Sequence, residues 1–181
     1  MKGHPFTLYP FPAAENPPDI RITGRISRDS ETLAIWYRLA GECMAIDLPG
    51  LSDHPKRKDF LWRETCLELF VRETDAEEYR EINLSPAGHW NIYRFDGYRK
   101  GMREEMGIAP PVIHVDVKNQ GVMEVSTHIH LEGMMPSHPP IRVAVSAVVK
   151  TLTGQISYWA LTHPGPEPDF HHRDSFAIRF K

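Results

Sequence analysis

Carboxylate, amide and aromatic side chains gather in one stretch of this chain, from Phe60 to Gly101. Three runs there alternate polar with apolar residues. The first sets Cys66, Glu68 and Phe70 against Leu67, Leu69 and Val71. The second separates Tyr79, Glu81 and Asn83 from Ile82 and Leu84, and the third separates Asn91, Tyr93 and Phe95 from Trp90 and Ile92. Side chains alternate faces along a strand, so one face can pack on a core while the other collects polar and aromatic groups. Carboxylates and amides take hydroxyls in planar pairs, and aromatic faces stack on the C–H groups of a flat ring. Neighbouring strands would thus let Glu68, Glu81, Asn83 and Asn91 bond hydroxyls, with Trp62, Tyr93 and Trp159 as stacking platforms and Trp90 a further candidate. Trp36, on an earlier run, is expected in the core.

The same residues suit other chemistry. Two carboxylates on adjacent strands are the equipment of a glycoside hydrolase. They could instead be neutralised by Arg80, Arg94 or Arg179 in a structural network, because a buried carboxylate must be paired or hydrogen-bonded. Ten histidines raise a metal reading. His128 and His130 lie two apart on one strand face, with His114 across a hairpin, and three imidazoles on one face can take zinc; histidines facing solvent give the same pattern. In the loop Thr162 to Asp174, His163, Asp169 and His172 could ligate a metal or frame a ligand. Haem would need an axial His or Met in an apolar slot; His89, Met102 and Met135 are available, but no spacing singles them out. The chain has no GxSxG motif.

Those residues must be held by a body of limited size. The 181 residues suit one domain with a sizeable core. A net charge of -3 and a pI near 6.4 leave no basic footprint for nucleic acid, and Lys56, Arg57 and Lys58 form the one tight basic cluster, in an expected loop. No apolar run approaches the ~20 residues of a membrane span. The proline-broken N-terminus has no apolar core of a signal peptide, so a cytoplasmic location is expected. Cys43 and Cys66 lie in no metal spacing and read as small packing residues.

Residues 1–19 hold Pro5, Pro10, Pro12, Pro17 and Pro18, and read as an extended arm on a body formed by residues 20–181. Strand patterns follow at Ile20 to Ser27, Thr32 to Ala40 and, more briefly, Cys43 to Leu48. After the three central runs, Tyr98 to Gly107 reads as a loop or helical turn. Val112 to Lys118 and Met123 to Leu131 frame a turn at Asn119-Gln120-Gly121. Ile141 to Lys150, Ile156 to Leu161 and Ser175 to Phe180 complete the set. About ten short alternating strands without an amphipathic helix predict an all-β protein, an antiparallel β-sandwich of jelly-roll type, with a closed barrel as the alternative.

The block Trp62-Arg63-Glu64-Thr65-Cys66-Leu67-Glu68-Leu69-Phe70-Val71 resembles the family-nine carbohydrate-binding modules and the related DOMON-like domains. There a tryptophan and an acidic pair precede a strand of apolar-Glu-apolar-aromatic form. Tyr79-Arg80-Glu81-Ile82-Asn83-Leu84-Ser85-Pro86-Ala87-Gly88 is similar to the strand and turn that follow. Trp90 to Gly101 and Tyr158 to Phe180 look closest to a bacterial DOMON-like subgroup. The resemblance implies a jelly-roll β-sandwich that binds a carbohydrate or sugar-containing small molecule without catalysis, or haem in some relatives. It also implies calcium as a possible bound ion, with Glu64-Thr65 standing where the family has its acidic pair. A small metal-dependent enzyme and a module pairing through an exposed sheet edge are the competing classes.

Overall fold

The computed structural model describes residues 3–14, 16–118, 121–135 and 139–181. The protein is all-β and antiparallel, with twelve strands among the described residues. In chain order they are β1 (His4–Pro10), β2 (Ile20–Asp29), β3 (Thr32–Gly41), β4 (Cys66–Glu73), β5 (Tyr79–Leu84), β6 (Trp90–Phe95), β7 (Arg103–Glu104), β8 (Ile113–Lys118), β9 (Val122–His130), β10 (Ile141–Lys150), β11 (Ile156–Ala160) and β12 (Ile178–Phe180). Their order in space is β7-β6-β5-β4-β10-β11-β1-β2-β3-β9-β8, with β12 beside the start of β10. The path has two ends, so the closed-barrel alternative does not apply.

The expected jelly-roll β-sandwich forms by curling this path onto itself, with β1 as the corner. His4 to Leu8 pair with β2, and Tyr9 and Pro10 pair with β11, so β1 belongs to both layers. The proline-rich arm therefore does not merely drape over the body. Pro5 and Pro10 sit near the strand ends, and the residues between them alternate into the core through Phe6 and Leu8. Two further assignments change. Cys43–Ala45 is a 3-10 turn rather than a strand, and the loop from Tyr98 contains the two-residue β7. The turn placed at Asn119-Gln120 lies outside the described residues, as does part of the loop from Gly133 to Pro140.

One layer contributes Ile22, Ile26, Leu33, Ile35, Tyr37, Leu39, Met123 and Val125 to the core. The other contributes Leu67, Leu69, Val71, Ile82, Leu84, Ile92, Val143, Val145, Ala147 and Trp159. Each set falls on the alternate positions of its strands, so the inner faces are apolar but for a few bonded hydroxyls such as Thr127 and Ser157. Tyr37 is fully buried, and its hydroxyl donates to the Glu68 carbonyl oxygen at 2.9 Å, tying the layers together. Opposite Tyr37 stands Gly24, over which the Phe6 ring lies. The Phe6 and Tyr37 rings meet edge to face with centroids 5.3 Å apart.

Trp36 points the other way and is 37% exposed, correcting its assignment to the core. The outer face of its layer is open and polar, with Arg38 and Glu124 on neighbouring strands. The second layer is different. Its strands β4, β5 and β6 are buried almost throughout, because their outer face lies under a second set of chain segments.

Candidate functional site

The outer face of β4, β5, β6 and β10 carries two ladders of opposed residues. One runs Ser146, Glu68, Asn83, Asn91, and the next runs Ala144, Phe70, Glu81, Tyr93. The shared face read from the sequence is therefore real. Glu68 and Glu81 stand diagonally on adjacent strands, a spacing within reach of long side chains. Over them pass the 3-10 turn Leu61–Arg63, the segment bearing Arg99 and Met102, and the loop bearing Phe170 and His171. Between floor and roof lies a cavity of about 550 Å³, walled by Trp62, Phe95, Tyr158 and Phe170, with Glu68 and Glu81 at its polar end.

Among the described residues neither carboxyl forms an ion pair with an arginine. Arg80 and Arg94 both bond Glu78, and Arg80 also reaches Glu105 at 2.9 Å, so the expected neutralising network serves other acids. Glu81 Oε1 accepts from Asn83 at 2.8 Å. Among the described residues Glu68 Oε1 and Ser146 Oγ are buried without a well-formed hydrogen bond, although the Ser146 hydroxyl stands opposite Glu68 on β10 and acts to hold its pKa down. Burial disfavours the charged forms, and each carboxyl repels the other's charge. Glu81 is pushed up to about 7, chiefly by burial, with the Asn83 bond acting against the shift. Burial and then Glu81 raise Glu68 well above the usual carboxylate range. Nothing in the sequence marks either group as an acid of raised pKa; the roof over the sheet creates that property.

His171 completes the polar end. Its Nδ1 lies 2.8 Å from the Tyr79 hydroxyl, and that hydroxyl accepts from the Arg99 backbone N–H at 3.2 Å. Either group can be the donor of the Tyr79–His171 bond, according to the imidazole tautomer, and the ring Nε2 lies 3.8 Å from Glu81 Oε2. Burial, reinforced by the Arg99 charge, lowers His171 to about 4. The imidazole is thus neutral at ordinary pH, and its contact with Glu81 is not an ion pair. Asp169 holds the loop in place by accepting from the Tyr98 hydroxyl at 2.6 Å and from Arg99 at 2.9 Å.

The expected site residues divide into three groups. Trp62, Glu68 and Glu81 line the cavity. Asn83, Asn91 and Tyr93 stand behind it as support. Asn91 accepts from Arg57 and donates toward Tyr93 and the Lys58 carbonyl oxygen, while the Tyr93 hydroxyl donates to Asp59 at 2.6 Å. Their polar atoms bond within the protein, and none of the three is among the residues lining the cavity. The Tyr93 ring supports Trp62 edge to face at 5.5 Å. Trp159 is a correction: it lies on the inner face, 3% exposed, and its indole N–H donates to Ser157. It cannot stack on a ligand at the outer face. Trp90 is likewise in the core, under the Arg57 guanidinium.

The histidine cluster also fails to assemble. His114 faces Ser126 across the β8–β9 pair, and His130 bonds Thr32, all on the open face of the other layer. Among the described residues, no three His, Cys, Asp or Glu side chains converge as a metal site. In the loop, His163 bonds the Tyr9 carbonyl oxygen and His172 caps the turn Arg173–Ser175, leaving Asp169 as support and His171 as the residue in the cavity. The sequence shows that adjacent histidines diverge, but not which one turns inward. Glu64 bonds Lys150, and the Thr65 hydroxyl donates to the Asp47 carbonyl oxygen, so the position expected for calcium is committed to structural contacts. No helix among the described residues is long and apolar enough to cross a membrane.

No family model matches the chain, and the search of curated proteins found no match. Among solved structures, a candidate carbohydrate-binding protein from Bacteroides uniformis ATCC 8492 superposes with a TM-score of 0.68 at 14% identity, over 93% of this chain and 83% of that one. A family 9 carbohydrate-binding module from Caldicellulosiruptor kristjanssonii, in complex with glucose, matches with a TM-score of 0.49 at 11% identity, over 83% of this chain and 71% of that one. The same module in complex with cellotriose matches with a TM-score of 0.49 at 11% identity, over 83% of this chain and 70% of that one. The likeness is one of fold.

Proposed function

We propose that this protein binds a carbohydrate or a sugar-containing small molecule, without transforming it, in the cavity on the outer face of β4, β5, β6, β10 and β11. The carrying observation is a pair of buried carboxyls, Glu68 and Glu81, aimed into an aromatic-walled cavity and, among the described residues, in ion pair with no arginine, Arg99 of the cavity wall acting on Glu81 only through its charge. A buried polar atom without a partner is costly, and Glu68 Oε1 is one. A polyhydroxylated ring supplies that partner. Its hydroxyls both donate and accept, so they match a protonated carboxyl as well as an ionised one. Its C–H faces suit Trp62, which stands against Tyr93 at the cavity wall. The Bacteroides neighbour, itself a candidate carbohydrate-binding protein, supports this ligand class.

The test is saturation-transfer NMR against a panel of mono- and disaccharides. One sugar class should show saturable transfer, weakened at least tenfold in Trp62→Ala and in Glu81→Gln. Silence across the panel would overturn the proposal.

One observation favours a second reading, cleavage of a glycosidic bond. Burial raises both carboxyls, and a glycosidase needs one raised acid. That chemistry also needs an ionised partner, and here the same burial acts against ionisation of each. Release of p-nitrophenol from aryl glycosides by the wild type, and not by Glu68→Gln, would establish hydrolysis in place of binding.

A further inference from the structure

The sheet face that carries the two carboxyls changes character toward its other end. Across β12, β10 and β4, Arg179 stands opposite Arg142, and Arg142 opposite Arg72. Three guanidinium groups thus form one row on three adjacent strands. The turn Arg173–Ser175 brings a fourth, Arg173, to the same place. These arginines line a separate cavity of about 410 Å³, closed on one side by Phe176.

The row is not assembled to bind neighbouring acids. Among the described residues, Arg72, Arg142 and Arg179 make no ion pair, and only Arg173 does, with Glu77 at 2.9 Å. Asp75 and Asp174 share the rim, but the Asp174 side chain is 79% exposed and turned toward His172. Arg72 is 5% exposed, and its Nη1 is fixed by the carbonyl oxygens of Thr74 and Ala76. The Nε groups of Arg72 and Arg142 are buried with no acceptor. Like charges held together, partly desolvated and short of acceptors, need an anion to satisfy them.

We propose that this arginine row is a second binding site, distinct from the carboxyl cavity, for a tetrahedral oxyanion of the phosphate or sulfate class. Guanidinium forks match such an anion because their N–H groups pair with its oxygens two at a time. Arg142 lies at the centre of the row and Arg179 at its open edge, so these two make the principal contacts. Arg72 is the rigid floor, held against Phe176 by a cation–π contact at 5.2 Å. The anion can be free or carried on a larger molecule, and the chemistry at the arginines is the same.

Arginine Nε–H groups give their own signals in ¹⁵N-resolved NMR, which makes a direct test possible. Inorganic phosphate is titrated into the protein, with chloride at equal ionic strength as the control. The Arg72 and Arg142 signals should move saturably with phosphate and not with chloride. Arg179→Gln should weaken the response at least tenfold, and Arg142→Gln Arg179→Gln should abolish it. Glucose 6-phosphate forms a second arm. Affinity equal to that of inorganic phosphate assigns the site to free oxyanion, and affinity at least tenfold higher assigns it to a phosphorylated ligand. No movement beyond the chloride control, or an unchanged response in the double variant, overturns the site. Neutral sugars probed in the double variant separate this result from the carboxyl cavity, whose ligands should bind it as they bind the wild type.

Discussion

Two tryptophans that look alike in the sequence divide at the scale of single residues. Trp62, in the turn before β4, and Trp159, within β11, both belong to the site-bearing layer, yet one lines the cavity and the other fills the core. Trp159→Ala should cost about 3–5 kcal/mol of stability, as expected for deleting a large core ring. Trp62→Ala should cost about 1 kcal/mol, the scale of its edge contact with Tyr93. Chemical denaturation of the two variants checks this, and comparable losses would mean that Trp62 is packing rather than platform. Sugar binding should show the reverse order. The sequence already showed which side of the sheet Glu68, Glu81, Asn83, Asn91 and Tyr93 share, since alternation sets the face of every residue on a strand. It did not show which of them remain available. Asn91 is taken by Arg57, and Tyr93 by Asp59, from a loop whose path no strand pattern encodes. Trp159 followed alternation as well, on the wrong face for a site, because its β11 neighbours Ser157 and Tyr158 do not mark in or out by polarity.

Among the elements, β1 and its glycine partner carry the most architectural weight. β1 passes between the layers, pairing β2 with one stretch and β11 with the next, and its Phe6 ring lies on Gly24. A methyl group on Gly24 would stand 2.2 Å from the Trp36 carbonyl oxygen and 2.3 Å from the Phe6 ring, so a strand or the ring must move. Gly24→Ala should therefore destabilise the fold by about 1–3 kcal/mol, the usual penalty of overpacking. Gly24→Ala combined with Phe6→Leu should recover part of that loss if the clash is with the ring. No recovery in urea unfolding would place the strain in the backbone of β2 and β3 instead. The residues of β1 read as an arm because proline is common there, and proline is excluded only from strand positions that must donate a hydrogen bond. Strands with strict alternation, such as β10, were legible to the residue: Ile141 to Lys150 is both the expected and the observed span. The two-residue β7 was not, because two exposed charged residues, Arg103 and Glu104, leave no period to read.

For the molecule as a whole, the covered sheet face sets how stability responds to pH. Most acids with shifted pKa values here are held low against the effect of burial by hydrogen bonds and cations, Glu78 by Arg94 and Arg80, and Asp169 by the Tyr98 hydroxyl and Arg99. Such groups contribute stability above their unfolded pKa and lose it as pH falls through the folded one. His171 acts in the same sense. Its folded pKa of about 4 lies below the ordinary 6.5, so the unfolded chain takes up the proton first, and stability is lost as pH falls between those values. Glu81 and Glu68 act in the opposite sense. Glu81 rises from 4.5 to about 7, so the folded state binds the proton more tightly, and this contribution is complete below 4.5 and lost as pH rises through 7. At ~1.4 kcal/mol per unit, Glu81 alone supplies up to ~3 kcal/mol of that loss. The stability maximum should therefore fall near pH 5–6. Between pH 5 and 8 the melting temperature should drop, because the Glu81 and Glu68 losses together outweigh the His171 gain that opposes them up to pH 6.5. Glu81→Gln should shrink that drop, Glu81→Gln with Glu68→Gln should remove most of it, and the acid side should persist in both. Calorimetry across this pH range decides the matter. A melting temperature that is flat or rising from pH 5 to 8 in the wild type would show that both carboxyls ionise normally. The cavity would then be wet enough to solvate them, and Glu68 would not need a ligand hydroxyl to complete its bonding.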